Sequence, residues 1–321
     1  MRAHPKITQG DLLCHAGMVL CRSHELHGLN IQIVMANTTV LETEEYIEQA
    51  YFFRTLRERL GQNMPTQEIL ARVRDEILAT TRLPMAIDFL NSELKHAGVM
   101  GPAMERISHY FTPYQAFVIG QSEIEVSKFS MELALAVLER EADYKARGPT
   151  KPGLFTYQFE SLCRNRLGYD AGLQRMADDP MFDEDWRTWI RKLPGQLGVV
   201  DFADLIYARS EFAHVEQRRR NPDHTPKHPP LFGEREGRIA KASHGKDPLY
   251  LFAALQRQLG YPIVPRPTPA DPTANLLLVL DRKLQQFEAR LKLVEGEIKG
   301  ELDLNQFYVK PDKDARHDAG L

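Results

Sequence analysis

The chain predicts a mainly α protein: a multi-helix bundle domain around a long central helix, with a C-terminal coiled-coil helix. Three observations carry that reading. First, after Pro113 the stretch to Arg147 contains no proline and is long enough for one continuous helix. At 100° per residue, Phe117, Ile124, Met131, Leu135, Leu138 and Ala142 fall on one face, and Ile119, Val126, Phe129, Leu133 and Val137 on the opposite one. A surface helix needs a single apolar stripe, so two opposed stripes predict a helix covered on both sides. Second, the connections between helical segments before it are short, which favours antiparallel neighbours in a bundle. Third, Leu277, Leu280, Leu284, Phe287, Leu291, Val294 and Ile298 recur at alternating spacings of three and four, a heptad seam of about three repeats.

The segments follow in order. Residues 1–34 hold four histidines and two of the three cysteines, and neither the helical nor the strand period persists in them. A signal peptide, a disordered arm and a true start at Met35 compete for this extension. The absence of an export cleavage pattern after LLCHAGMVLC favours the start at Met35. A helical domain is then expected over 40–220. Thr43 opens a helix acidic at its beginning and basic at its end, in line with the helix dipole, and Gly61 stops it. Further helices start at Pro65, near Met85 and at Pro102, and Thr112–Pro113 begins the central one. After Gly148–Pro149 a helix runs to Gly168, Asp183 caps a segment with Trp186 and Trp189 on one face, and Val199–Arg220 reads as one long helix.

Composition shifts at Asn221. Residues 221–230 form a proline-rich linker, and 231–262 a small basic module with one helix, Pro248–Leu259 closed by Gly260. Its glycine-rich first half reads as hairpin or loop. A second proline-rich linker spans 263–273, the coiled-coil helix 274–300 and a polar tail 301–321.

Composition limits the function classes. A formal charge of −3 argues against a generally nucleic-acid-binding surface, and no apolar run approaches the roughly 20 residues of a membrane span. Three cysteines without a zinc spacing fit a reducing, cytoplasmic compartment.

The sharpest chemical pattern is Glu-x-x-His, present as Glu93–His96 and Glu211–His214. Residues three apart share a helix face, and di-metal bundles use two such pairs with a glutamate from each of two other helices, here Glu45 or Glu48 on the first helix and Glu125 or Glu132 on the central helix. With 25 glutamates and 11 histidines, chance supplies about one such motif, so two are weak evidence. Glu125, Glu132 and Glu139 lie seven apart beside Lys128, which reads more simply as surface ion pairing. Arg218, Arg219 and Arg220, with Arg238 and Lys241, make 215–250 basic enough to meet phosphates, although arginines at a helix C-terminus are favoured by its dipole alone. Trp186, Trp189, Phe155, Tyr157 and Phe159 either line a ligand pocket or form core, and helical spacing favours core. No cofactor is named by these motifs.

The expectation is therefore a non-catalytic helical interaction or assembly protein that forms a homo-oligomer through the coiled coil, with room for a protein partner. A metal- or small-ligand-binding enzyme or sensor using the Glu-x-x-His pairs is the first alternative. A nucleic-acid-associated factor using 215–250 is the second.

Overall fold

A computed structural model describes residues 40–62, 64–124, 128–222, 225–267 and 280–292, the last without 282 and 289. Among the described residues the protein is mainly α, with no strand and two isolated backbone bridges, Leu197 to Val200 and Ser210 to Phe232. The extension 1–34 lies outside them, as do the 301–321 tail and seam residues Leu277, Val294 and Ile298.

The first half is α1 (Thr43–Leu60), α2 (Thr66–Glu76), α3 (Leu83–Ala97), α4 (Gly101–Arg106), α5 (Pro113–Ser122) and α6 (Met131–Ala146). The most extensive helix pairing is α1 along α6. It buries Tyr46, Ala50, Phe53 and Leu56 with Leu135, Leu138 and Ala142 in the common core. Glu139 of α6 bridges both Arg54 and Arg57 of α1, at 2.8 and 2.9 Å. So this member of the predicted acidic seam is an inter-helix tie rather than a solvent-facing pair with Lys128.

The predicted continuous central helix is two helices. Side-chain hydrogen bonds mark both ends of the break. The Ser122 hydroxyl turns back to the Ile119 carbonyl, and Glu123 uses its carboxylate on the backbone N–H groups of Met100 and Gly101, starting α4. Ser130 then accepts from Leu133 N and opens α6 as its N-cap. The two-stripe inference survives within each piece: six consecutive residues, Tyr114 to Ile119, are buried in α5, and Ala134 to Glu139 in α6.

The second half is α7 (Lys151–Asn165), α8 (Tyr169–Ala177), α9 (Glu184–Lys192), α10 (Phe202–Ala208), α11 (Glu211–Arg220), α12 (Glu234–Ala242) and α13 (Pro248–Leu259). α7 is the hub: it packs on α6, α8 and α13. Phe155 on α7 meets Trp186 and Trp189 of α9 and Phe232, with ring centroids 5.5, 4.9 and 6.2 Å away. These rings are core, as their spacing predicts.

Two further expectations are corrected here. The long helix Val199–Arg220 is split into α10 and α11, because Ser210 caps α11 and the backbone of 209–211 pairs with Leu231 and Phe232. The glycine-rich stretch after Phe232 is helix α12, so residues 231–262 carry two helices rather than one. Gly237 is the reason a loop signal sits inside that helix. A Cβ there would lie 2.3 Å from Ser210 Oγ, so only glycine lets α12 close on the α10–α11 corner. The 263–273 linker also begins packed: Val264 is buried, and the Pro265 carbonyl accepts from Asn165 Nδ2 at 3.2 Å.

A candidate binding groove

An open groove of about 580 Å³ lies between α7, α8, the 197–202 turn and the start of α13. Its floor is aromatic: Phe159 from α7, Phe202 from α10 and Phe252 from α13, with Phe159 and Phe202 centroids 4.3 Å apart. Its rim is apolar and wet. Val199 is 86% exposed, Leu249 48% and Tyr169 45%. The turn that lifts Val199 into solvent depends on Gly198, whose φ of +88° is open to glycine and strained for other residues.

The polar groups around the groove are already engaged. Asp201 caps α10 through Ala203 N at 3.0 Å and accepts from Gly245 N at 2.7 Å, and Asp247 caps α13 through Leu249 N at 2.8 Å. Arg164 is ion-paired to Glu160, which also accepts from the Tyr261 hydroxyl at 2.7 Å. Burial pushes the Cys163 thiol up to about 12, against the pull of its hydrogen bond with Tyr169, so it stays protonated at neutral pH. The arrangement presents apolar surface and no poised acid, base or nucleophile among the described lining residues.

On the inner side of α7 lies a second, opposite environment. Lys145 of α6 has no exposed side-chain area and sits 2.8 Å from Asp179 Oδ2 and 3.2 Å from Glu141 Oε1, both also fully buried. Gln158 Nε2 donates to both carboxylates, at 2.6 and 3.1 Å, and the ammonium lies 5.9 Å from the Tyr46 ring centroid. Burial pulls the Lys145 ammonium down, but Asp179 and Glu141 outweigh it and hold it above the usual lysine range. Burial raises the Glu141 carboxyl, favouring its neutral form, against the pull of Lys145. Nothing in the sequence pattern marks this cluster except the i,i+4 spacing of Glu141 and Lys145, which is equally the mark of a surface pair.

The predicted site residues are dispersed. Glu93 pairs with Arg106 on α4, and His96 is exposed at the end of α3. Glu211 is the exposed first residue of α11, whereas His214 is buried on it. α3 and α11 share no contact, so the two Glu-x-x-His pairs do not face a common space. Glu132 is exposed in the first turn of α6, and Glu125 lies outside the described residues. No group of three His, Cys, Asp or Glu side chains that could hold a metal occurs among the described residues.

In the basic region, Arg238 pairs with Glu234, and Lys241 holds Glu216 at 2.6 and 2.7 Å while lying over the Tyr207 and Phe212 rings. Both side chains stay largely exposed while making these pairs. Arg218, Arg219 and Arg220 are exposed at the C-terminal end of α11. In the C-terminal segment Leu280, Leu284, Phe287 and Leu291 are 48–63% exposed.

Sequence reasoning picked out Phe159 but not the groove, because its walls come from four places between residues 159 and 252 that only folding joins. Among the described residues no helix is long and apolar enough to cross a membrane. No protein-family model, curated protein or solved structure matches the chain.

Proposed function

We propose that the protein is a non-catalytic helical interaction protein whose receptor surface is the α7–α8–α13 groove. One observation carries this: a wide apolar groove keeps large side chains wet at its rim while every charged side chain lining it is engaged by a cap or an ion pair. A contiguous exposed apolar surface with a polar edge is the signature of a binding site. An amphipathic helix laid into such a groove anchors through residues at i, i+4 and i+7. Self-association through the C-terminal seam and a cytoplasmic location belong to the same reading.

The test is an apolar reporter dye. Anilinonaphthalene sulfonate should brighten on the folded chain carrying Leu284→Glu and Phe287→Glu, which removes the apolar row of the C-terminal segment, and adding Val199→Glu with Leu249→Glu should remove most of that signal without shifting the melting temperature. Equal brightening in the variant would sink the groove as the binding surface.

A further inference from the structure

We infer that the groove's occupant is the C-terminal leucine row of a second copy of this chain, exchanged reciprocally between two subunits. This rests on the groove being a helix-binding surface. The row has the required spacing: Leu280, Leu284 and Phe287 stand at i, i+4 and i+7, and Leu291 follows four later. All four are about half exposed in the same structure that leaves the groove open, so each surface lacks the cover that the other offers.

The path of the chain makes the meeting feasible. The body ends where Pro265 is tied to Asn165, next to the groove residue Arg164. From there, residues 266–279 can span at most about 50 Å when extended. That length lets the segment leave its own body for a second copy. Charge also agrees. The groove edge carries the carboxylates of Asp201 and Asp247, with Arg164 already neutralised by Glu160. The segment 280–292 carries Arg282, Lys283, Arg290 and Lys292 against Asp281 and Glu288.

A second copy fits better than the chain's own tail for a geometric reason. In the sequence the apolar row runs on past Phe287 to Leu291, Val294 and Ile298. Engagement at i, i+4 and i+7 uses Leu280, Leu284 and Phe287 and leaves those later positions over. In a single chain the remainder would stay wet. In a two-fold exchange the two segments run together and the remaining positions pack on each other, closing the assembly at two copies.

The experiment uses the full chain and light scattering at micromolar concentration. The unmodified protein should have twice the chain mass. Val199→Glu with Leu249→Glu, and separately Leu284→Glu with Phe287→Glu, should each give monomers that still melt cooperatively, at a temperature that no longer depends on protein concentration. Tyr250→Glu, exposed beside the groove but outside its lining, should stay dimeric. Mixing the two double variants should restore a dimer, because one intact groove then meets one intact row, with affinity at least about tenfold below the original. A monomeric unmodified protein overturns the inference, and so does a groove variant that remains dimeric. A labelled peptide of residues 275–299 separates this failure from that of the groove reading. Binding to the Leu284→Glu, Phe287→Glu chain that the groove substitutions abolish upholds the groove even if the dimer is absent, whereas no binding defeats both.

Discussion

The two sides of α7 invert the usual partition of a protein. Inward, three ionisable side chains are fully buried around Lys145; outward, Val199, Leu249 and Tyr169 stand in water. Buried charge and exposed apolar surface are the informative departures from the rule that puts apolar groups inside. They differ in what holds them. Lys145, Asp179 and one oxygen of Glu141 are held by short polar contacts within the fold, so they specify how α6, α7 and the 178–181 turn fit together. The apolar rim makes no such demand on the fold and is free to serve a partner.

The largest effect should come from breaking the inner cluster. Asp179→Ala strands the Lys145 ammonium in the core and should cost about 3–5 kcal/mol, measured as a shift of the urea midpoint. A loss below 1 kcal/mol would show that the pair is hydrated and not buried. Next comes the contact that joins α7 to α8. A Cβ on Gly172 would lie 2.7 and 2.8 Å from the Leu162 methyl carbons, so Gly172→Ala should overpack this wall by about 1–3 kcal/mol.

Glu141 gives a pH test with a definite sign. Its carboxyl is raised in the folded protein, mainly by burial, relative to an ordinary value of 4.5. The folded state therefore binds this proton more tightly than the unfolded chain does. That contribution is present below pH 4.5 and is lost as pH rises through the folded value. The slope from this one group cannot exceed about 1.4 kcal/mol per pH unit. Glu141→Gln removes it, so the difference in stability between the two proteins should move in favour of the variant as pH rises. A difference that is flat with pH contradicts the raised carboxyl.

On the outer side, Val199→Ser introduced into the Leu284→Glu, Phe287→Glu chain should alter stability by no more than about 0.5 kcal/mol, because a side chain 86% exposed in the single chain loses little on replacement. The smallest effect is kinetic. The Cys163 thiol is held at about 12, so its alkylation, followed by peptide mass spectrometry, should keep accelerating about tenfold per pH unit beyond pH 9. A plateau near pH 9 would show an ordinary, solvated thiol.

Much of the architecture was legible residue by residue. Thr112 and Asp183 sit at helix starts and accept first-turn N–H groups with their side-chain oxygens, and Gly98 and Gly260 end helices in the left-handed region. Opposed stripes on 113–147 announced two-sided burial correctly and continuity wrongly. Period alone does not report that Ser130 will cap or that Glu123 will turn away to serve α4. The glycines at 233 and 237 read as loop punctuation, although Gly237 is there for close packing. The Glu-x-x-His spacing was read properly as a shared helix face, but a motif within one helix says nothing of which helix will stand opposite.

By itself, then, the sequence determined what neighbours along the chain can decide: the helical class, most caps and stops, and the apolar row on 277–298. Tertiary structure alone decided which charges are buried and where apolar surface is left over. Lys145 meets Asp179 34 residues away, and Asn165 holds Pro265 100 residues away. The groove is assembled from residues 159 to 252. Capping and helical period act over three or four residues, so they can be read from the chain in order. Desolvation and the shape of a surface depend on everything packed around a side chain, which no local pattern contains.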